Sequence, residues 1–138
     1  MALSTKARKR LEAALAKRSE AAEIADAIDD LSKYIPLSVA DPGTGVAIPV
    51  TTSATINIVT AGAETNTLAI PSFLGQVLLL NVATYVGNRV ITSAQGINQA
   101  GNTIMTFGAA RDSIMLRSVL VGGALRWQVV ANDGVALA

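Results

Sequence analysis

The sequence predicts a mainly β protein, a jelly-roll-like antiparallel β-sandwich preceded by an N-terminal α-helical arm. Three observations carry this. Thirteen of the twenty-one charged residues fall between Thr5 and Lys33, a stretch with no glycine or proline. After Gly45 apolar and polar residues alternate over short runs, and glycine- or asparagine-bearing turns separate the runs. The composition is 51% hydrophobic but only 4% aromatic, so the apolar content is mainly small or β-branched, which suits packed strands. The chain divides accordingly into a charged helical arm at 1–35, a linker at 36–45 and a β-sandwich domain at 46–138.

From Thr5 to Lys33 the residues are strong helix formers, and Ser4 stands where an N-cap belongs. As one rod this arm would span roughly 40 Å at 1.5 Å per residue. Its charge is polarised: residues 1–18 carry a net +5 and residues 19–33 a net −4. Cations at the positive end of the helix macrodipole and carboxylates at its negative end each cost a few tenths of a kcal/mol, roughly, so an isolated helix would not choose this order. Leu3, Ala7, Leu11 and Leu15 make one apolar stripe, and Ile24, Ile28, Leu31 and Ile35 make a second. At about 100° per residue the two stripes lie on opposite sides of a straight helix. Either one helix faces two ways, or it breaks near Ser19, with Glu20 and Glu23 in the first turn of a second helix. No continuous heptad is present. The arm then reads either as a solvated helix lying on its own domain, or as a contact arm whose Ile24 stripe docks at home while its Leu11 stripe and basic rim reach a partner.

Pro36 and "DPGTG" at 41–45 mark the linker. Beyond it the alternation predicts strands near 46–50, 54–60, 67–70, 76–83, 89–94, 103–107, 113–121, 124–131 and 135–137. The turn signals between them include "AGAETN", "PSFLG" and "QGINQAGN". No exact internal repeat is visible. The run "SIMLRSVLVGGALRWQVVA" fixes a hairpin: a two-residue Gly122-Gly123 turn pairs Val121 with Ala124, Leu120 with Leu125, Ser118 with Trp127 and Leu116 with Val129. Side-chain parity puts Leu116, Leu120, Leu125, Trp127 and Val129 on the core face, with small Ser118 making room for the tryptophan. Met115, Arg117, Val119, Arg126 and Gln128 take the other face.

With no cysteine and no histidine, the chain lacks disulfides, thiolate ligands, the commonest metal ligand and the commonest general base. A catalytic carboxylate pair would have to come from Asp41, Glu64, Asp112 and Asp133, all in predicted loops where carboxylates usually form turns. A serine hydrolase has no histidine, and no lysine follows Lys33. "GTG" at 43–45 precedes a predicted strand rather than a helix, so it is no phosphate loop. The expectation is no enzyme, no cofactor and no metal. The basic "KARKR" has no interleaved aromatics to mark a nucleic-acid surface. The longest apolar run, "VLLLNVATYV" at 77–86, is too short for a membrane helix, and no secretory signal opens the chain, so neither nucleic acid nor membrane is an expected partner.

A charged N-terminal helix joined to a small cysteine-free β domain ending in "DSIMLRSVLVGGALRWQVVANDGVALA" resembles small structural proteins of tailed-bacteriophage virions, and most closely their capsid cement or decoration proteins. The resemblance rests on the terminal block, about a fifth of the chain. It implies a jelly-roll or related sandwich, no enzymatic activity, and homo-oligomers on the outer capsid surface that clamp neighbouring major capsid subunits. On this reading the protein is made in the host cytoplasm and resides in the virion. It binds the major capsid protein and itself, as a dimer or a trimer. Lys6, Arg8, Lys9, Arg10, Leu11 and Leu15 are the expected partner-binding residues, the apolar pair for holding and the charges for steering. The alternatives are a trimeric head-fibre or tail-fibre module with the arm as a stem, and a carbohydrate-binding sandwich using Trp127 as a stacking platform.

Overall fold

The computed structural model describes residues 4–138, less the side chains of Ser19 and Ser32. Leu3, the first member of the N-terminal stripe, lies outside the described residues. Internal contacts divide the chain into two units, before and after the Ser32–Lys33 bond.

The first unit is one helix, α1, Thr5–Ser32, unbroken at Ser19. The Ser4 hydroxyl accepts a hydrogen bond from the Ala7 N–H at 3.2 Å, as an N-cap should. No acidic residue occupies the first turn and no basic residue the last, so the charges do run against the macrodipole. Leu11, Leu15, Ile24, Ile28 and Leu31 each keep half or more of their surface exposed.

The second unit, Lys33–Ala138, is mainly β. Its strands are β1 Leu37–Val39, β2 Ala54–Val59, β3 Glu64–Leu68, β4 Val77–Thr84, β5 Arg89–Ser93, β6 Ile104–Phe107, β7 Ser113–Val121, β8 Ala124–Asp133 and β9 Ala136–Leu137. They form a five-stranded sheet in the order β1-β2-β4-β7-β8 and a four-stranded sheet in the order β3-β5-β6-β9. The inward rows of both sheets meet in one hydrophobic cluster. Ile56, Leu80 and Leu116 enter it from the larger sheet, and Leu68, Ile91, Met105 and Phe107 from the smaller. The segment expected to be a linker carries β1, which pairs with β2.

The antiparallel jelly-roll pairing expected from the sequence is not what forms. Three pairings are parallel: β1 with β2, β2 with β4, and β3 with β5. Both sheets are therefore mixed, whereas a jelly roll pairs its strands antiparallel. The reason lies in the connections. The chain leaves β2 in one sheet, crosses to β3 in the other, and returns to lay β4 beside β2 and β5 beside β3. Ala54 pairs with Leu78 and Glu64 with Arg89, so each position meets one 24 or 25 residues further along. The extra residue is absorbed at the irregularity after Ile58. This is the geometry of two stacked coils. They share few residue identities, which is why no repeat is legible in the sequence. Asn57 and Asn81 pair through their side chains at 3.3 Å. Gly87 lies against the Gly62 backbone so closely that a β-carbon at 87 would fall 2.4 Å from the Gly62 carbonyl carbon.

Two strand boundaries moved for identifiable reasons. Residues 46–50 form no strand: the Gly45 and Ile48 N–H groups bond the carbonyls of Thr65 and Thr67 at 2.7 and 2.8 Å, but Pro49 has no N–H to continue a ladder. The supposed turn "AGAETN" instead opens β3. Its buried polar residue, Asn66, donates to the carbonyls of Gly43 and Val46 at 2.6 Å each, which makes a polar strand position stable inside.

The hairpin of β7 and β8 has the expected turn and register, with both central glycines at positive φ. Leu116 and Trp127 are buried, and the Trp127 indole N–H donates to the Ala69 carbonyl at 2.8 Å. Leu120 is a correction: it is 56% exposed, and Leu125 and Val129 are only half-buried. Parity fixed their side of the sheet, but at Leu120 and Leu125 the hairpin runs beyond the core. An irregularity next to Met115 lets Leu116 face Val129 and Met115 face Ala131, so Val130 is the extra residue.

The stacked coils can be tested at the glycine pair. Gly87→Ala should destabilise the protein by about 1–3 kcal/mol or more, the cost of overpacking against fixed backbone. Gly62→Ala, whose added carbon meets nothing within 4 Å, should change stability far less. Urea unfolding of the two variants checks the contrast.

Candidate interaction surfaces

The four carboxylates considered for catalysis are used structurally, apart from Asp133, which lies exposed in β8 rather than in a loop. Asp41 and Glu64 share one partner, Arg89, which alternation alone marks only as a strand residue. Arg89, at the start of β5, has no exposed surface. Its two terminal nitrogens donate to Asp41 Oδ1 and Oδ2, both at 3.0 Å. Nη1 also donates to Asn66 Oδ1 at 2.8 Å, and Nη2 reaches the Val59 carbonyl at 3.3 Å and the Glu64 carboxylate. The only sequence signal for this role is parity, which puts residue 89 on the same inward row as Ile91 and Ser93.

Asp41 is locked further by the N–H groups of Gly43 and Val59, at 3.1 and 2.9 Å. Burial by itself raises its pKa. The Arg89 hydrogen bonds, the two backbone donors and the guanidinium charge outweigh that and hold it below the ordinary carboxylate value. A carboxyl held ionised is the opposite of a general acid at neutral pH. Asp112 is a turn former, accepting from the Gly108 and Ala109 N–H groups at 2.7 and 2.9 Å. Among the described residues no group of three or more acidic side chains is arranged to hold a metal ion.

Removing Arg89 leaves two largely buried carboxylates without their cation. Arg89→Leu should therefore cost about 3–5 kcal/mol, measured as a lower urea midpoint. The pH dependence has a definite sign. Asp41 has a lowered folded pKa, so its contribution is present above the unfolded value of 3.8 and is lost as pH falls through the folded one. Unfolding followed from neutral pH down through pH 4 and below (about 4 being the free Asp value) should show stability falling at the acid end. Asp41→Asn should be less stable at neutral pH and lose less on acidification.

Among the described residues the exposed surface has three features, the outer face of the larger sheet, a recess beside the hairpin turn and helix α1. The outer face of the larger sheet presents Val77, Leu79, Met115, Val119 and Val130, with Arg117 and Arg126 its basic residues on β7 and β8. Tyr34, Gly75, Val77, Met115, Arg117 and Val130 line a recess of about 440 Å³ on this face. Its rim is held by the Tyr34 ring, packed edge-on against Phe73 with centroids 5.5 Å apart. A second recess, beside the hairpin turn, is lined by amides, including Asn98, Gln99 and Gln128. Trp127 borders it but is 2% exposed, so it offers no ring face for a sugar. The expected partner-binding residues Lys6, Arg8, Lys9, Arg10, Leu11 and Leu15 all lie on α1, and all are exposed. They follow one another around the helix rather than sharing a single stripe. No helix among the described residues is long and apolar enough to cross a membrane. No protein-family model matches the chain, and no curated protein matches its sequence.

Proposed function

We propose that this chain is a non-enzymatic structural protein of a tailed-bacteriophage virion, a cement protein that binds the outside of the capsid and ties neighbouring major capsid subunits together. One observation carries the reading: an exposed, densely charged helix with bare leucines and isoleucines is joined to a nearly uncharged β domain, three of whose four carboxylates are used for its own structure. Both exposed features suit contact with protein. The outer sheet face offers low-charge, partly apolar area of the kind that fills the centre of an interface, while the helix offers steering charges and apolar anchors.

The fibre-module alternative draws support from the stacked coils, an architecture that extends along one axis by adding coils. The carbohydrate-binding alternative loses its main support with Trp127 inside the core. As a cement protein the chain is expected at the capsid surface, bound to the major capsid protein and to itself. Copies bound at many points on a shell would stabilise it by mass action, since ligation favours the assembled state.

Deleting residues 1–18 should leave the β domain folded, because its core lies after Gly45, while weakening attachment to undecorated capsids. Co-sedimentation at two ionic strengths measures this. The full-length protein should lose more binding to added salt than the truncated one. Equal affinity and equal salt dependence would move the contact entirely to the β domain.

A further inference from the structure

Helix α1 divides at its midpoint into halves of opposite charge. Thr5–Arg18 carries Lys6, Arg8, Lys9, Arg10, Lys17 and Arg18 against Glu12 alone, a net +5. Ser19–Ser32 carries Glu20, Glu23, Asp26, Asp29 and Asp30 and no base, a net −5. This order is unfavourable for the helix taken by itself, since no acid lies in the first turn and no base in the last. Its apolar side chains are also uncovered, Leu11 at 50% and Leu15 at 54% exposed.

We propose that α1 pairs with the α1 of a second copy of this chain, antiparallel, with basic half against acidic half. A two-fold axis through the midpoint lays the +5 half of each helix along the −5 half of the other. A parallel, in-register pair sets +5 beside +5 and −5 beside −5, which is repulsive along its whole length. Antiparallel packing also opposes the two macrodipoles, which the parallel arrangement aligns.

One side of the helix supplies the seam. Leu11, Leu15, Ala22 and Ala25 lie within about 80° of one another at 100° per residue. In the midpoint-centred register Leu15 falls level with the partner copy's residue 22, an alanine, and Leu11 next to its residue 25, also an alanine. Large side chains thus meet small ones. Arg8 falls within one turn of the partner copy's Asp26, and both lie on the same flank of the seam, the flank that an antiparallel pair brings together. The Ile24, Ile28 and Leu31 stripe stays on the far side. This inference rests on the reading of the helix as the contact segment, and it does not require the β domain to bind a capsid.

The test is sedimentation equilibrium on the full chain without capsids. Two variants make the helix uniform in sign: R8E/K9E/R10E, which makes both halves acidic, and E20K/E23K/D26K, which makes both basic. The first change places acids toward the positive end of the helix and the second places bases in its C-terminal half, neither order opposing the macrodipole, so loss of the helix is not expected, and circular dichroism verifies that. The wild type should associate at low salt, and less so near about 1 M salt, where the Debye length falls to about 3 Å. Each variant alone should associate at least about tenfold more weakly, since halves of like charge then lie side by side. Mixed one to one, the two variants should associate with each other. A wild type that is monomeric at low salt overturns the proposal. So do variants that self-associate as the wild type does, which is what a parallel pair or a contact between β domains would give, and so does a mixture that stays monomeric. Failure here leaves the capsid reading to its own co-sedimentation result.

Discussion

The β domain depends on one buried cation. Arg89 opens β5, yet its guanidinium is held by Asp41 after β1, by the carbonyl of Val59 at the end of β2, and by Glu64 and Asn66 in β3. It therefore joins the two stacked coils to the segment that precedes them. Burying a charged group costs several kcal/mol, in rough terms, unless its partners are all in place. That requirement makes the arrangement selective. A slip of one residue in the β3–β5 register would turn Arg89 outward and leave Asp41 and Glu64 behind. Greasy residues of the same volume could supply comparable stability, but they would not tell one register from the next. In parallel strands with few residue identities between coils, register is what most needs specifying.

The buried polar set around Arg89 is continued by groups that hold the irregular segments. Gln76, also fully buried, donates to the carbonyls of Val50 and Thr52 at 2.8 and 2.9 Å and accepts from the Ser72 N–H at 2.7 Å. Ser53 accepts from the Val77 N–H at 3.0 Å. Pro49 and Pro71 cannot take part in ladders as donors, so the chain around them is carried by side-chain amides and hydroxyls. The irregular segments between strands are thus held by buried side-chain amides and hydroxyls rather than by charges.

The charge lies instead in α1, where helix stability does not explain its order. A helix optimised for itself places acids first and bases last. The reversed order is unfavourable for the helix's own macrodipole, its leucine and isoleucine side chains are exposed, and the proposed pairing of two copies would complement both features. Charge is thus segregated into the helix and exposed apolar area into the outer sheet face, so the chain presents two surfaces of different character.

Much of this was legible from local pattern. The helix, its Ser4 cap, its opposing charges, the strands at 54–59, 77–84, 89–93 and 104–107, and the hairpin with its Gly122-Gly123 turn all follow from periodicity, parity and turn chemistry within a dozen residues of one another. The tertiary structure decided what depends on distant partners. β1 exists because β2 lies beside it. Glu64 and Asn66 belong to a strand because Arg89 and the Gly43 and Val46 carbonyls satisfy them, and Arg89 is inside because two carboxylates from elsewhere in the chain meet it there. The direction of strand pairing was likewise undecided by alternation, which specifies the face of a side chain and says nothing of which strand lies next door. Leu120 shows the same limit at the scale of one residue: its row was set by parity, but whether that row is covered depends on where the opposing sheet ends.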